Sequence, residues 1–207
     1  MAGKPQRLPA SSALNYNDVV KAKTPAAPIP PLAGEICILA GGLSSRMGRD
    51  KARLRLRGQS LLSRVRTVAA QARWPVRVIR RDLVPRCGPL GGVCTALKTT
   101  RAEVVLFLAC DMPFITAELI GKLVKLRQTR NLAVFTLGGQ GPGFPFLLRR
   151  AALPRVEEQI AAGEFSLQSL AAKCRARMIR APGGARSLFN VNTPADLKRM
   201  NLNPILC

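Results

Sequence analysis

Short apolar runs alternate with amphipathic stretches along most of this chain. The runs at 36–40 (ICILA), 76–80 (VRVIR), 104–109 (VVLFLA), 132–137 (LAVFTL), 144–148 (FPFLL) and 177–181 (RMIRA) read as strands. VVLFLA has no polar residue, as expected of a central parallel strand covered on both faces. FPFLL follows a Gly/Pro turn, which predicts an antiparallel strand. Between the runs the apolar spacing changes to that of helices. Over 60–73 it puts Leu61, Leu62, Val65, Val68, Ala69 and Ala72 on one face. Segment 89–100 reads as a loop opening a helix, and 116–128 as a helix with Thr116 as N-cap. Helices follow at 153–163, 166–174 and 192–200. In the last, Thr193 is the cap, Pro194 takes the first helical position and Asp196 lies three residues beyond the cap.

Alternating strands and helices of this kind predict a three-layer α/β/α fold, an open and mostly parallel Rossmann-like sheet with helices on both faces. Ligands of such sheets sit outside the carboxyl ends of the strands, where the strand order switches. Residues 1–34, rich in Pro, Ala and Lys, show no periodicity and are expected to form a disordered tail. The folded domain is expected over 35–207.

Composition narrows the chemistry. The chain has no histidine, so no imidazole can serve as general base. Its six cysteines are scattered without paired spacing, which argues for reduced thiols in the cytoplasm and against a zinc site. No apolar run reaches the roughly 18 residues of a membrane span, and the first residues show no secretory signal. The net charge of +22 calls for anionic partners. With aromatic residues at 4% and no stacking module, a polyphosphate ligand is expected, not nucleic acid.

Three strand ends carry unusual chemistry. After the first comes AGGLSSRMGRDK, where Gly41 and Gly42 let backbone N–H groups approach a ligand and Arg46 and Lys51 supply fixed charge. Taken alone, it reads as a surface turn on a basic protein or as a phosphate cradle. The second strand leads through Asp82 into the glycine turn GPLGG. The third ends in ACDMPF, where Asp111 is a carboxylate suited to a hard cation such as Mg²⁺. Together the three describe a Mg²⁺–nucleoside triphosphate site.

LAGGLSSRMGRDK, GPLGG, ACDMPFI and FNVNTPADL resemble, in order, the signature segments of the molybdenum cofactor guanylyltransferases, nucleotidyltransferases that attach GMP to molybdopterin. The resemblance covers residues 36 to about 200. It implies a sheet of the nucleotide-diphospho-sugar transferase type and a Mg²⁺-dependent reaction of GTP with the molybdopterin cofactor. It also implies site roles. The backbone at Leu39, Ala40, Gly41 and Gly42 would bind the nucleotide, and Arg46 and Lys51 would hold the triphosphate. Asp82 would contact the nucleoside, Asp111 would bind Mg²⁺, and Asn190 and Asn192 would line the cofactor side. The expected protein is a cytoplasmic monomer, with molybdoenzyme maturation proteins as further candidate partners and neither nucleic acid nor membrane.

The chain departs from the family pattern in one place. Family members usually carry a further strand and loop before the segment of Asp82, with an asparagine that touches the nucleotide. Here Arg77, Arg80 and Arg81 are the candidates to act in its place on the phosphate side. Two alternatives stay open: a sister enzyme that uses CTP, whose members more often show LAAG where this chain has LAGG, and a non-catalytic cofactor-binding module.

Overall fold

In the computed structural model, residues 33–41 and 54–202 are described. The chain divides into two units, Met1–Pro30 and Pro31–Cys207. The first lies outside the described residues, as do most of the expected tail, Gly42, Arg46 and Lys51.

Six strands form one sheet: β1 (Glu35–Leu39), β4 (Val76–Ile79), β5 (Val104–Ala109), β6 (Ala133–Gly138), β7 (Gly141–Arg149) and β8 (Arg177–Arg180). Their spatial order is β4-β1-β5-β7-β6-β8. β1 pairs in parallel with β4 and β5, and β6 in parallel with β8. β7 alone is antiparallel, to both β5 and β6. The apolar run of β5 is thus a central strand, parallel on one side and antiparallel on the other. β7 takes that second side because a tight turn folds it back from β6. A small hairpin of β2 (Arg55–Leu56) and β3 (Gln59–Ser60), not expected from the sequence, stands apart. Its strands are too short to show an alternation.

The helices are α1 (Leu61–Ala70), α2 (Pro89–Thr99), α3 (Ala117–Lys125), α4 (Leu153–Ala161), α5 (Leu167–Lys173) and α6 (Pro194–Leu202). Several start at short polar caps. The Ser60, Thr116 and Ser166 side chains accept the amides of Ser63, Leu119 and Ser169. At α6 the Thr193 hydroxyl accepts the Asp196 amide while Asp196 accepts those of Asn192 and Thr193, the reciprocal arrangement its sequence predicts.

Strand alternation divides the core. Cys37, Val105, Phe107, Phe135, Phe146 and Leu148 face α2, α4 and α5. Ile36, Ile38, Leu106, Leu108, Val134 and Leu147 face α1 and α3. Three rings on the first face, Phe107, Phe146 and Phe135, stack at centroid distances of 5.0 and 4.5 Å. A third small cluster joins Leu56 and Leu61 to Val191 and Met200 of the C-terminal segment. No helix among the described residues is long and apolar enough to cross a membrane.

The amino edge of the sheet holds a buried ion pair. Glu35 accepts from the Arg77 guanidinium and from the Thr100 hydroxyl. Arg77 also donates to the Ala96 carbonyl at 3.0 Å. This corrects one expectation: Arg77 is committed to Glu35, which needs a countercharge because it is buried, at the edge opposite the strand ends of interest. Arg80 and Arg81 have exposed side chains at the end of β4. Cys37, beside the same pair, has its thiol pushed up to about 12, first by burial and then by the Glu35 charge. The described cysteines, Cys37, Cys87, Cys94, Cys110 and Cys174, are all buried and form no disulfide among themselves.

Candidate functional site

The three strand ends singled out by sequence belong to three adjacent strands, β4, β1 and β5. The order reverses at β1, since the chain continues to β4 on one side and to β5 on the other. Backbone hydrogen bonds tie the ends together. Ala40 N donates to Ile79 O at 2.8 Å, and Cys110 N donates to Leu39 O at 3.1 Å. Leu39, Ala40, Gly41, Asp82 and Asp111 therefore share one edge.

Close approach explains the glycines. A Cβ on Gly41 would lie 2.9 Å from Arg80 O and 3.5 Å from Asp82 Oδ1. A Cβ on Gly91 would lie 2.6 Å from Val84 O and 2.9 Å from Asp82 Oδ2. Gly92 is nearly as tight, 3.1 Å from Leu39 Cδ2 and 3.4 Å from Asp82 Oδ1. The Asp82 carboxylate is thus seated between the β1 turn and the first turn of α2. Thr95 secures the loop. Its hydroxyl accepts from Leu83 N at 2.8 Å and donates to Gly91 O at 2.8 Å. Burial raises the Asp82 carboxyl above its ordinary value. α2 begins at Gly88 without a side-chain cap, with Pro89 in its first turn. Its positive end is thereby left open to an anion.

Asp111 stands beyond β5, and its Oδ1 is buried. Its carbonyl accepts from Val191 N at 2.8 Å, so Asn190 and Asn192 are carried to the same edge as the carboxylate. Both asparagines line a cavity of about 570 Å³. The turn from β6 to β7, Gly138 to Gly143, forms one wall; Phe165 to Gln168, and Ala185, Leu188 and Phe189, supply others. The Asn190 Oδ1 is buried and receives no hydrogen bond from the described residues.

Among the described residues no three of Cys, Asp and Glu gather as a metal cage. A single hard carboxylate fits Mg²⁺ of the kind held mainly by substrate phosphates, and does not fit a cation that needs an all-protein shell.

Sequence reasoning missed Thr95, Gly91 as the neighbour of Asp82, and the cavity. The glycine-rich turn GGQGPG was the available signal for the cavity, since it marks a place where the backbone is left uncovered.

Comparison with known proteins agrees with this geometry. A molybdenum cofactor guanylyltransferase of Pseudomonas putida strain F1 is 34% identical over 195 residues, 82% of this chain and 97% of that one. Among solved structures, molybdopterin-guanine dinucleotide biosynthesis protein A of Archaeoglobus fulgidus superposes with a TM-score of 0.64 at 21% identity, covering 81% of this chain and 97% of the other. The 2-C-methyl-D-erythritol 4-phosphate cytidylyltransferase of Thermus thermophilus superposes at 0.60 and 17% identity, covering 81% and 97%. These last two show the fold, which the chain shares with them. The family model described as MobA-like NTP transferase domain matches residues 36–178, and the chain belongs to that family of nucleotidyltransferases.

Proposed function

We propose that the protein transfers GMP from GTP to the terminal phosphate of molybdopterin and releases pyrophosphate. The observation that carries this reading is the Val191–Asp111 hydrogen bond. It joins the cavity of Asn190 and Asn192 to the edge that holds Asp111.

In the proposed reaction an oxygen of the molybdopterin phosphate attacks the α-phosphorus of GTP. One P–O bond forms, the bond to the β-phosphate breaks, and pyrophosphate departs in line. The attacking phosphate is already ionised at neutral pH, so a chain without histidine can run the reaction. The protein's work is positioning and charge compensation. The Leu39–Gly41 backbone and Asp82 orient the nucleoside, and Arg46 and Lys51 hold the triphosphate. Asn190 and Asn192 hold the acceptor. Asp111 is the residue that would hold Mg²⁺, whose chemistry there is neutralisation of phosphate charge. We take the cytoplasm as the compartment, in keeping with the buried thiols that form no disulfide among the described residues.

The test is pyrophosphate release from GTP, CTP or ATP with molybdopterin and MgCl₂, with the product identified by mass. GTP alone should turn over, and Asp111→Ala should abolish it. CTP turnover would reassign the donor. Tight cofactor binding without turnover on any nucleotide would make the chain a binding module.

A further inference from the structure

Of the large apolar side chains left exposed among the described residues, the aromatic ones are Phe165 and Phe189, 38% and 40% exposed. Both line the same cavity of about 570 Å³. Neither ring is part of a core cluster. Exposed rings that line one concavity are a costly feature in the free protein and are covered by a ligand with a flat apolar face.

The fold brings them there from different layers. Phe165 precedes Ser166, the N-cap of α5, whose Leu167 and Leu170 pack in the layer of α2 and α4. Phe189 follows a short 3₁₀ turn, Gly184–Leu188, whose Leu188 packs in the layer of α1 and α3. The turn between β6 and β7 separates the two. Gly138 and Gly141 face each other in its ladder. A Cβ on Gly141 would lie 3.7 Å from Gln168 Cγ, and one on Gly138 would lie 3.6 Å from Leu188 Cδ1. The α5 segment therefore borders one side of the turn and the 3₁₀ segment the other. Next to Phe189 stands Asn190, whose buried Oδ1 needs an N–H donor.

We propose that Phe165 and Phe189 determine specificity for the acceptor by stacking on its fused heteroaromatic ring, with an N–H edge of that ring turned to Asn190 Oδ1. Two aromatic rings and one acceptor oxygen select a flat bicycle with donors on its rim, and a sugar phosphate lacks the flat aromatic face. The inference rests on the acceptor being a pterin phosphate, as proposed above.

The experiment compares the full-length protein with Phe165→Leu, Phe189→Leu and, as an exposed apolar control outside the cavity, Met178→Ala (42% exposed). Leucine keeps apolar volume and loses the flat face. Binding of 6-hydroxymethylpterin is followed by its fluorescence, and KM for molybdopterin and for GTP by pyrophosphate release. Each leucine variant should raise the pterin Kd and the molybdopterin KM roughly three- to tenfold, leaving kcat and the GTP KM unchanged. Phe→Tyr at either position should restore both, and Met178→Ala should match wild type. A wild type that turns over, with leucine variants that do likewise at unchanged pterin Kd and molybdopterin KM, overturns the stacking role alone. Variants that raise the GTP KM instead also overturn it. A wild type that neither binds the pterin nor releases pyrophosphate overturns the proposed function together with this inference.

Discussion

Gly91→Ala is the sharpest probe of how Asp82 is seated. The new methyl would sit 2.6 Å from Val84 O and 2.9 Å from Asp82 Oδ2. The first contact is with backbone, and the loop that carries it is pinned by the 2.8 Å bond from Leu83 N to Thr95 Oγ1. Relief requires the Asp82–Val84 loop to move away from α2. Overpacking of this kind costs about 1–3 kcal/mol. Replacing a helical glycine by alanine returns up to about 1 kcal/mol, so the net destabilisation is about 0–3 kcal/mol. Gly121→Ala, in α3, supplies the control. Nothing lies within 4 Å of its new Cβ, so only the helix-propensity gain remains. The two variants should differ by about 1–3 kcal/mol, and each kcal/mol corresponds to about 2–4 °C in Tm for a chain of this size. Displacing Asp82 should also weaken GTP binding. Loss of a hydrogen bond to a charged group, worth about 1.5–3 kcal/mol, is roughly 10- to 150-fold in Kd. Calorimetric melting and titration with Mg·GTP measure both. A Gly91→Ala protein that melts with Gly121→Ala and binds GTP like wild type would refute the close packing of Asp82 on α2.

Other outcomes follow from the same geometry. Glu35→Ala should destabilise the fold by about 2–3 kcal/mol in urea titration, the lower range for a buried pair because Arg77 is partly exposed. The GTP KM should not change, because the pair sits at the opposite edge. Asp82→Asn should show a pH-dependent gain in stability. The folded carboxyl titrates above its unfolded value of 3.8, so wild type holds that contribution fully below pH 3.8 and loses it as pH rises through the raised value. The variant should match wild type near pH 3.8 and exceed it at pH 8 in urea midpoint, while binding GTP more weakly. Lys51→Ala should lower turnover roughly 10²- to 10³-fold with an unchanged Tm; near-normal turnover would remove Lys51 from the triphosphate site.

The elements were legible because each carries a local signal. VVLFLA became β5 over the same residues, and Thr116 and Thr193 cap the helices they were expected to cap. The antiparallel course of β7 was readable from its Gly/Pro turn. Its irregular start was not. Phe135 pairs with Phe146 but Thr136 pairs with Gly143, so the ladder skips Phe144 and Pro145, and the Thr136 hydroxyl donates to Pro145 O at 2.7 Å. Pro145 has no N–H for a ladder, but only the folded partner strand shows where the skip falls. The same limit applies at the site. Asp82 and Asp111 were visible as lone carboxylates after strands, while Thr95 was not, because its role depends on a hydroxyl one helical turn from Gly91. Arg77 was misread because the burial of Glu35, which claims it, is a tertiary fact.

Asp82 reaches the β1 turn despite the shortened segment before it, for a topological reason. β4 pairs with β1 over four residues, Ile36↔Val76 to Leu39↔Ile79, and is the last strand on that side of the sheet. A strand that is parallel to β1 and adjacent to it must end beside the β1 turn, whatever lies further out. Asp82 follows β4 after two residues, so it reaches Gly41 without help from any outer strand. What the shorter chain gives up is cover at the sheet edge. There the Arg80 carbonyl closes on Gly41 while the Arg80 and Arg81 side chains remain in solvent. Among the described residues no strand lies outside β4 to carry an asparagine there. Among the described residues, the backbone of the β1 turn, Asp82 and the first turn of α2 meet at this end of the sheet. Under the proposed function, the glycine packing around Asp82 is therefore expected to affect GTP affinity, which the Gly91→Ala titration reads.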